Sequence, residues 1–277
     1  MNATTTMHPA GAAPTASATR YTHGRSLRRI YFLEAKYEFL KMVRLPGYFI
    51  PTLAFPWVFY LFFGVAMAKK MATSFPIGTY LLATYGAFGV IGVSLFGFGV
   101  GVAVERGQGW MLFKRASPMP PLAHLFGKLG MCLLFSATGV AGLFLLGVTL
   151  GGAHLSLSVF ARLFGTLVAG ALPFGALGLA LGYWAGPNSA PALANLIYLP
   201  MAICSGLWFP VQILPTFLQK IAPLLPAYHL AQLGLRIIGM GQGVPVGRSV
   251  SFLAAFTVAA LGFAWAGFRR DEGKTFG

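Results

Sequence analysis

Apolar residues along this chain fall into long runs, not into strict alternation. Six runs, at approximately 48–68, 77–104, 127–150, 162–185, 189–206 and 249–268, hold no Asp, Glu, Lys or Arg apart from Lys128 and Arg162 at their edges. About 20 helical residues rising ~1.5 Å each cross a hydrocarbon core of ~30 Å. The pattern therefore predicts an all-α integral membrane protein with six transmembrane helices. The fifth run is short and carries Pro191 and Pro200, so a kinked or incomplete span is expected there.

Polar segments punctuate the runs. Residues 1–24, rich in Ala, Thr, Ser and Pro, cannot bury enough apolar surface to order themselves and predict a flexible cytoplasmic tail; residues 271–277 are expected as a second cytoplasmic tail. Between Arg25 and Leu45 no helix breaker occurs, but charged and large apolar side chains alternate too closely for a span. A helix lying in the membrane interface suits such a segment, contacted by lipid on one side and protein on the other. Its plainer alternative is a juxtamembrane anchor. Residues 207–248 are too apolar for an ordinary loop, yet Pro210, Pro215, Pro223, Pro226 and Lys220 argue against a seventh span. Such broken backbone needs protein or water partners, so a re-entrant or interfacial hairpin over Leu207–Pro226, before the last span, is expected.

Composition agrees with this reading: 57% of residues are hydrophobic and 9% charged, against about 25% charged in soluble domains. Twenty Lys+Arg against five Asp+Glu give a net charge of +15. On a soluble protein that balance would suggest nucleic acid; here it orients the chain. With both termini inside, fourteen bases fall on the cytoplasmic side and six outside, the asymmetry that inner loops carry. Lys69 and Lys70 run against that bias.

Candidate chemistry is sparse. Cys132 and Cys204 lie in separate apolar runs as small core residues, and the five histidines are scattered singly, so no metal site is predicted. Gly97-Phe98-Gly99-Val100-Gly101 lacks the strand and acidic partner of a dinucleotide fingerprint. Gly97/Gly101 and Gly178/Gly182 instead have the GxxxG spacing that lets helices approach closely in lipid. Gly273-Lys274-Thr275 resembles the end of a phosphate-binding loop, but Phe268 stands where its first glycine is required. No acidic residue lies within the runs to carry a coupling ion, and no grouping suggests membrane-embedded catalysis.

One polar insert stands out. Glu105–Lys128 is basic, punctuated by Gly and Pro, and contains Glu105, the only carboxylate between residues 39 and 270. A basic anchor for anionic lipid is its simplest reading, although anchoring has no need of Gly107, Gly109, Pro118, Pro120 and Pro121.

The order of these parts resembles the type-2 ABC transporter permeases, the membrane subunits of type V fold exporters. Three patterns carry the resemblance. Lys41-Met42-Val43-Arg44-Leu45-Pro46 with Pro51 and Pro56 enters the first span; Glu105-Arg106, Gly109, Pro118 and Gly127-Lys128 lead into the third. Leu199-Pro200, Ser205-Gly206, Phe209-Pro210, Leu214-Pro215, Pro226 and His229 run from the fifth span into the hairpin. Together they cover about residues 25–270. Gly107 and Trp110 depart from the family, which often places an acidic residue and a threonine beside the loop glycine.

The resemblance implies a cytoplasmic connecting helix over Arg25–Leu45, with Arg28, Arg29, Glu34, Glu38, Lys41 and Arg44 as its polar residues. It implies a coupling helix around Glu105–Ser117, where Glu105, Arg106, Gly109, Trp110, Lys114, Arg115 and Pro118 would meet a separate P-loop ATPase subunit. Glu105 would either pair with a cation of that partner or cap the coupling helix. Ser205, Gly206, Phe209, Pro210, Leu214 and Pro215 would belong to an extracellular gate formed with the hairpin 207–226. The expected protein is the permease subunit of an ATP-driven exporter in the cell membrane, paired with a like or unlike permease. This chain itself would hold no cofactor, ATP and Mg being bound by the partner. Without charges in the spans, a hydrophobic or amphipathic substrate, drug-like or lipid-like, is the expected cargo. A stand-alone channel or secondary carrier, or a membrane enzyme acting on lipid, are the alternatives from other classes.

Overall fold

The computed structural model describes residues 23–67, 76–110 and 123–272. The expected N-terminal tail through residue 22, the stretch 111–122 and residues 273–277 lie outside them. Every regular element among the described residues is helical. In chain order these are α1 (His23–Val43), α2 (Pro46–Phe59) running into a π-helical stretch (π1, Tyr60–Met67), α3 (Ile77–Gly92), π2 (Val93–Val100) and α4 (Gly101–Gly107). There follow α5 (Ala123–Thr149), α6 (Leu157–Ala169), α7 (Ala171–Trp184) and α8 (Ala190–Cys204). A single turn at Val211–Ile213, α9 (Thr216–Ile221), another turn at Ala222–Leu224, α10 (Pro226–Ile237) and α11 (Val246–Glu272) complete the chain.

Five helices among the described residues are long and apolar enough to cross a membrane: Ile50–Met67, Ile77–Gly107, His124–Thr149, Leu157–Trp184 and Val246–Arg270. The protein is therefore a multi-pass membrane protein. The fifth expected span is α8, whose 15 residues reach about 22 Å, short of a ~30 Å core. Pro191 sits in its first turn, where a missing N–H costs nothing, and Pro200 interrupts its interior ladder.

The continuous helix Ile77–Gly107 is the centre of the bundle. In its most apolar window 72% of residues are buried inside the protein, against 17% for Val246–Arg270. Its neighbours on different sides are α2, α5, α7 and α10. Close packing comes from small residues: a Cβ added at Gly178 would fall 2.5 Å from the Ser94 carbonyl oxygen, and one at Gly99 would fall 2.8 Å from that of Gly178. The Gly178/Gly182 spacing thus marks the α7–π2 contact, but its counterpart is Gly99, not the Gly97/Gly101 pair. Gly101 instead faces Met42 and Lys128 at ordinary contact distance.

The segment expected as a hairpin forms two turns and two helices. Leu225 is extended before Pro226, which opens α10 at its first position. α10 is buried against α3, α6 and α11. Its polar residues are satisfied within the protein: Gln232 Oε1 accepts from the Gln242 backbone N–H, and His229 Nδ1 lies 3.2 Å from Ser249 Oγ on α11.

Candidate functional site

The residues singled out at Glu105–Lys128 and on α1 converge on one another. Glu34, Glu38 and Lys41 are spaced i, i+4, i+7 on α1, so they share a face. His124 and Lys128, also four apart, face them from the first turns of α5, and Glu105 comes from α4. Gly127 makes the approach possible, because a Cβ there would fall 2.5 Å from Glu34 Cγ.

Lys128 sits at the centre with no solvent exposure (0%). Its Nζ lies 2.9 Å from Glu105 Oε1 and 3.2 Å from Glu38 Oε2. Lys41 Nζ donates to the same Glu105 oxygen. His124 completes the network: Nε2 is 3.2 Å from Glu105 Oε2, while Nδ1 is 3.4 Å from Glu34 Oε1 and 3.5 Å from Glu38 Oε1. Glu38, Glu105, His124 and Lys128 are buried together, with Glu34 and Lys41 half-buried at the edge, in keeping with the rule that buried charge is paired. Glu34, Glu38 and His124 bring donor atoms within 4.8 Å of one another, a spacing a metal ion could use. Lys128 already supplies a cation to Glu38 and Glu105, so no metal is assigned there.

Arg106 turns to the other side. Its guanidinium donates to the Tyr183 carbonyl and, at 2.8 Å, to the Ala185 carbonyl. Tyr183 is in the last turn of α7 and Ala185 follows its end, where a helix lacks internal donors and carries its negative dipole end. Beside it, a Cβ at Gly107 would fall 2.5 Å from Pro187 Cγ. Glycine at 107 thus has a local reason: the Gly186–Ser189 turn passes too close for a side chain.

A second feature lies against π2. A cleft of about 310 Å³ opens between α2, π2 and α8, lined by Pro51, Thr52, Phe55, Phe96, Asn195 and Tyr198 among others, with no charged residue. Tyr198 closes one wall. Its ring stacks on Phe88 at 4.5 Å and 12°, and its hydroxyl donates to the Phe88 carbonyl at 2.9 Å.

A family model described as an ABC-2 family transporter protein matches residues 74–266. The chain belongs to the ABC-2 transporter family. It is also 26% identical over 221 residues to the transport permease YvfS of Bacillus subtilis (strain 168), covering 79% of this chain and 89% of that protein. As an ABC-2 permease it is a transport subunit, from a family whose systems include an ATPase.

Against that membership the predicted residues sort themselves. Glu105 is 4% exposed and its carboxylate is held by cations of its own chain. Lys41 and Lys128 are those cations, and His124 lies beside the other carboxylate oxygen. Gly109 adopts a positive φ of 75° in the turn after α4, a conformation glycine takes without strain. Trp110 is exposed, with Lys41 Nζ 5.9 Å from its ring centre. Lys114, Arg115 and Pro118 lie outside the described residues. On α1, Glu34, Glu38 and Lys41 point into the network, whereas Arg29 and Arg44 are exposed; Arg28 lies on the same helix.

Of the residues expected at a gate, Ser205 and Gly206 are buried, and the Gly206 carbonyl accepts from the Tyr80 hydroxyl at 3.0 Å. Phe209 is exposed with its ring 6.3 Å from Phe63. Pro210, Leu214 and Pro215 follow at the turns before α9. The sequence reading passed over His124, Asn195 and Tyr198. His124 was marked by its i, i+4 relation to Lys128; nothing local marked Tyr198, whose partner Phe88 is 110 residues away.

Proposed function

We propose that this chain is the permease subunit of an ATP-driven exporter, working with a separate P-loop ATPase that binds ATP and Mg and with a second permease subunit. The observation that carries this reading is the buried network joining α1 to α4 and α5. A helix fixed by Glu34 and Glu38 to the ends of two spans moves with them, so a push delivered at that end reaches the bundle as a rigid-body displacement. The chain has no phosphate cradle in its sequence, so the push comes from another polypeptide. The excess of Lys and Arg around α1 and residues 105–128 supports placing this end in the cytoplasm, with α9 and α10 at the outer face. The uncharged cleft beside Tyr198 suits a hydrophobic or amphipathic cargo.

Co-expression with the P-loop ATPase encoded beside this chain tests the reading. A stable complex is expected, with ATPase activity stimulated by the permease. Trp110→Ala, at an exposed position outside the ion network, should weaken that stimulation while leaving membrane insertion intact. Transport by the chain alone in liposomes, without ATP, would sink the proposal.

A further inference from the structure

Pro51 and Pro56 stand inside α2, and a proline has no N–H for the carbonyl four residues earlier. Pro56 therefore offers no donor to the Thr52 carbonyl. Within a membrane, backbone groups freed in this way are matched by neighbouring helices, by Ser or Thr side chains, or by ordered water. Thr52 lies on the wall of a narrow cavity between α2, α3 and α5, together with Pro56, Tyr85, Gly89, Ser136 and Gly139.

Ser136 is 1% exposed, and its Oγ finds no hydrogen-bond partner among the described residues. Helical Ser and Thr hydroxyls commonly turn back on the carbonyl four residues earlier. Thr138 and Thr149 of the same helix do so, donating to the Leu134 and Leu145 carbonyls at 2.8 and 2.7 Å. Ser136 does not. A buried hydroxyl left without a partner is costly, and this one borders the cavity.

Glycines keep the space open. A Cβ at Gly89 would fall 3.1 Å from Pro56 Cγ, and one at Gly139 would fall 3.2 Å from Leu53 Cδ2. About 10 Å³ remains for the centre of a water-sized sphere. That is room for about one water, and a buried water takes about 2–4 polar partners. No charged residue lines the cavity, so an ion has nothing there to balance it.

We propose that the cavity holds an ordered water molecule that bridges Ser136 Oγ on α5 to the Thr52 carbonyl on α2. The water donates to the carbonyl and shares a second hydrogen bond with the serine. Thr52 and Tyr85 are the other hydroxyl-bearing residues of the wall. Trp57 Nε1 donates directly to the Gly139 carbonyl at 2.9 Å, so α2 is joined to α5 by one direct and one water-mediated link. Such a bridge is nearly as favourable as a direct bond, and a water re-aims as its neighbours shift. α2 can therefore flex at Pro56 without stranding either group.

The test is X-ray hydroxyl-radical footprinting of the whole chain in lipid nanodiscs, made up in heavy-oxygen water and read by mass spectrometry. Radicals born from an internal water label the side chains beside it. Tyr85, buried on the cavity wall, should take up heavy oxygen. A scavenger in the bulk should quench labelling of the exposed Trp110 but not of Tyr85. Ser136→Ala removes one hydrogen bond to the water and should lower Tyr85 labelling about 2- to 10-fold. Phe174, fully buried and not on the wall, should stay unlabelled throughout. Tyr85 labelled no more than Phe174 overturns the proposal and marks a dry cavity. Equal labelling of Tyr85 in Ser136→Ala and the unaltered chain overturns it too, because the water would then be held by other groups. Either failure leaves the exporter reading untouched, since the site follows from packing alone.

Discussion

Lys128 Nζ, fully buried, lies 2.9 Å from Glu105 Oε1; that pair ties α4 to α5, and Glu38 and Lys41 join α1 to both. Buried ions are costly to desolvate, and removing one partner leaves the others uncompensated. Lys128→Met should therefore cost about 3–5 kcal/mol, read as a lower thermal midpoint of the purified protein. Adding Glu105→Gln to the same chain should recover part of the loss. A double variant no more stable than Lys128→Met would show that the two residues do not act as a pair.

The contact of α7 with π2 depends on the absence of a side chain. Gly178→Ala places a Cβ 2.5 Å from the Ser94 carbonyl oxygen, and the two helices must separate. A cost of about 1–3 kcal/mol is expected, the usual range for overpacking. Gly165→Ala is the matched control, since a Cβ there meets nothing within 4 Å. It should be neutral or favourable by at most about 1 kcal/mol through helix propensity. Equal effects at the two sites would disprove the packing argument.

His229 ties α10 to α11 and to the preceding turn, with Nε2 3.0 Å from the Pro223 carbonyl oxygen and the ring 4.1 Å from that of Phe252. Burial holds its pKa below the ordinary 6.5; the Pro223 carbonyl opposes this and the Arg248 charge adds to it. The unfolded chain thus binds the proton more readily, and stability rises with pH across the window between the two values. The contribution is complete above 6.5 and is lost as pH falls through the folded-state value. Thermal midpoints measured from about pH 8 to about pH 5 should fall with acidity, and the fall should be smaller in His229→Gln. A slope unchanged by that substitution would assign the effect to another group.

Membrane-spanning helices were legible because the feature that makes them, a charge-free apolar run, is local. The apolar helices Ile50–Met67, Ile77–Gly107 and His124–Thr149 follow three of those runs. The short α8 was marked by Pro191 and Pro200, and the α7 contact by Gly178 and Gly182. The pairing of Glu105 within the chain was not legible. A lone carboxylate in a basic loop reads as an exposed contact, and its partners Lys41 and Lys128 are 64 and 23 residues away. What the sequence did contain were the two matching stripes, Glu34/Glu38/Lys41 and His124/Lys128. Each is complementary to the other, and neither means anything until both helices are placed side by side. The aromatic cleft was out of reach for the same reason: it is assembled from α2, π2 and α8.

The 90 residues separating Glu38 from Lys128 also set an order of birth. At about 5–20 residues per second, the ribosome exposes Glu38 several seconds or more before its lysine exists. α1 is made first but has no binding site until the third long apolar helix has begun to enter the bilayer. The N-terminal helix is thus seated late, and its docking reports that the first half of the bundle has been assembled.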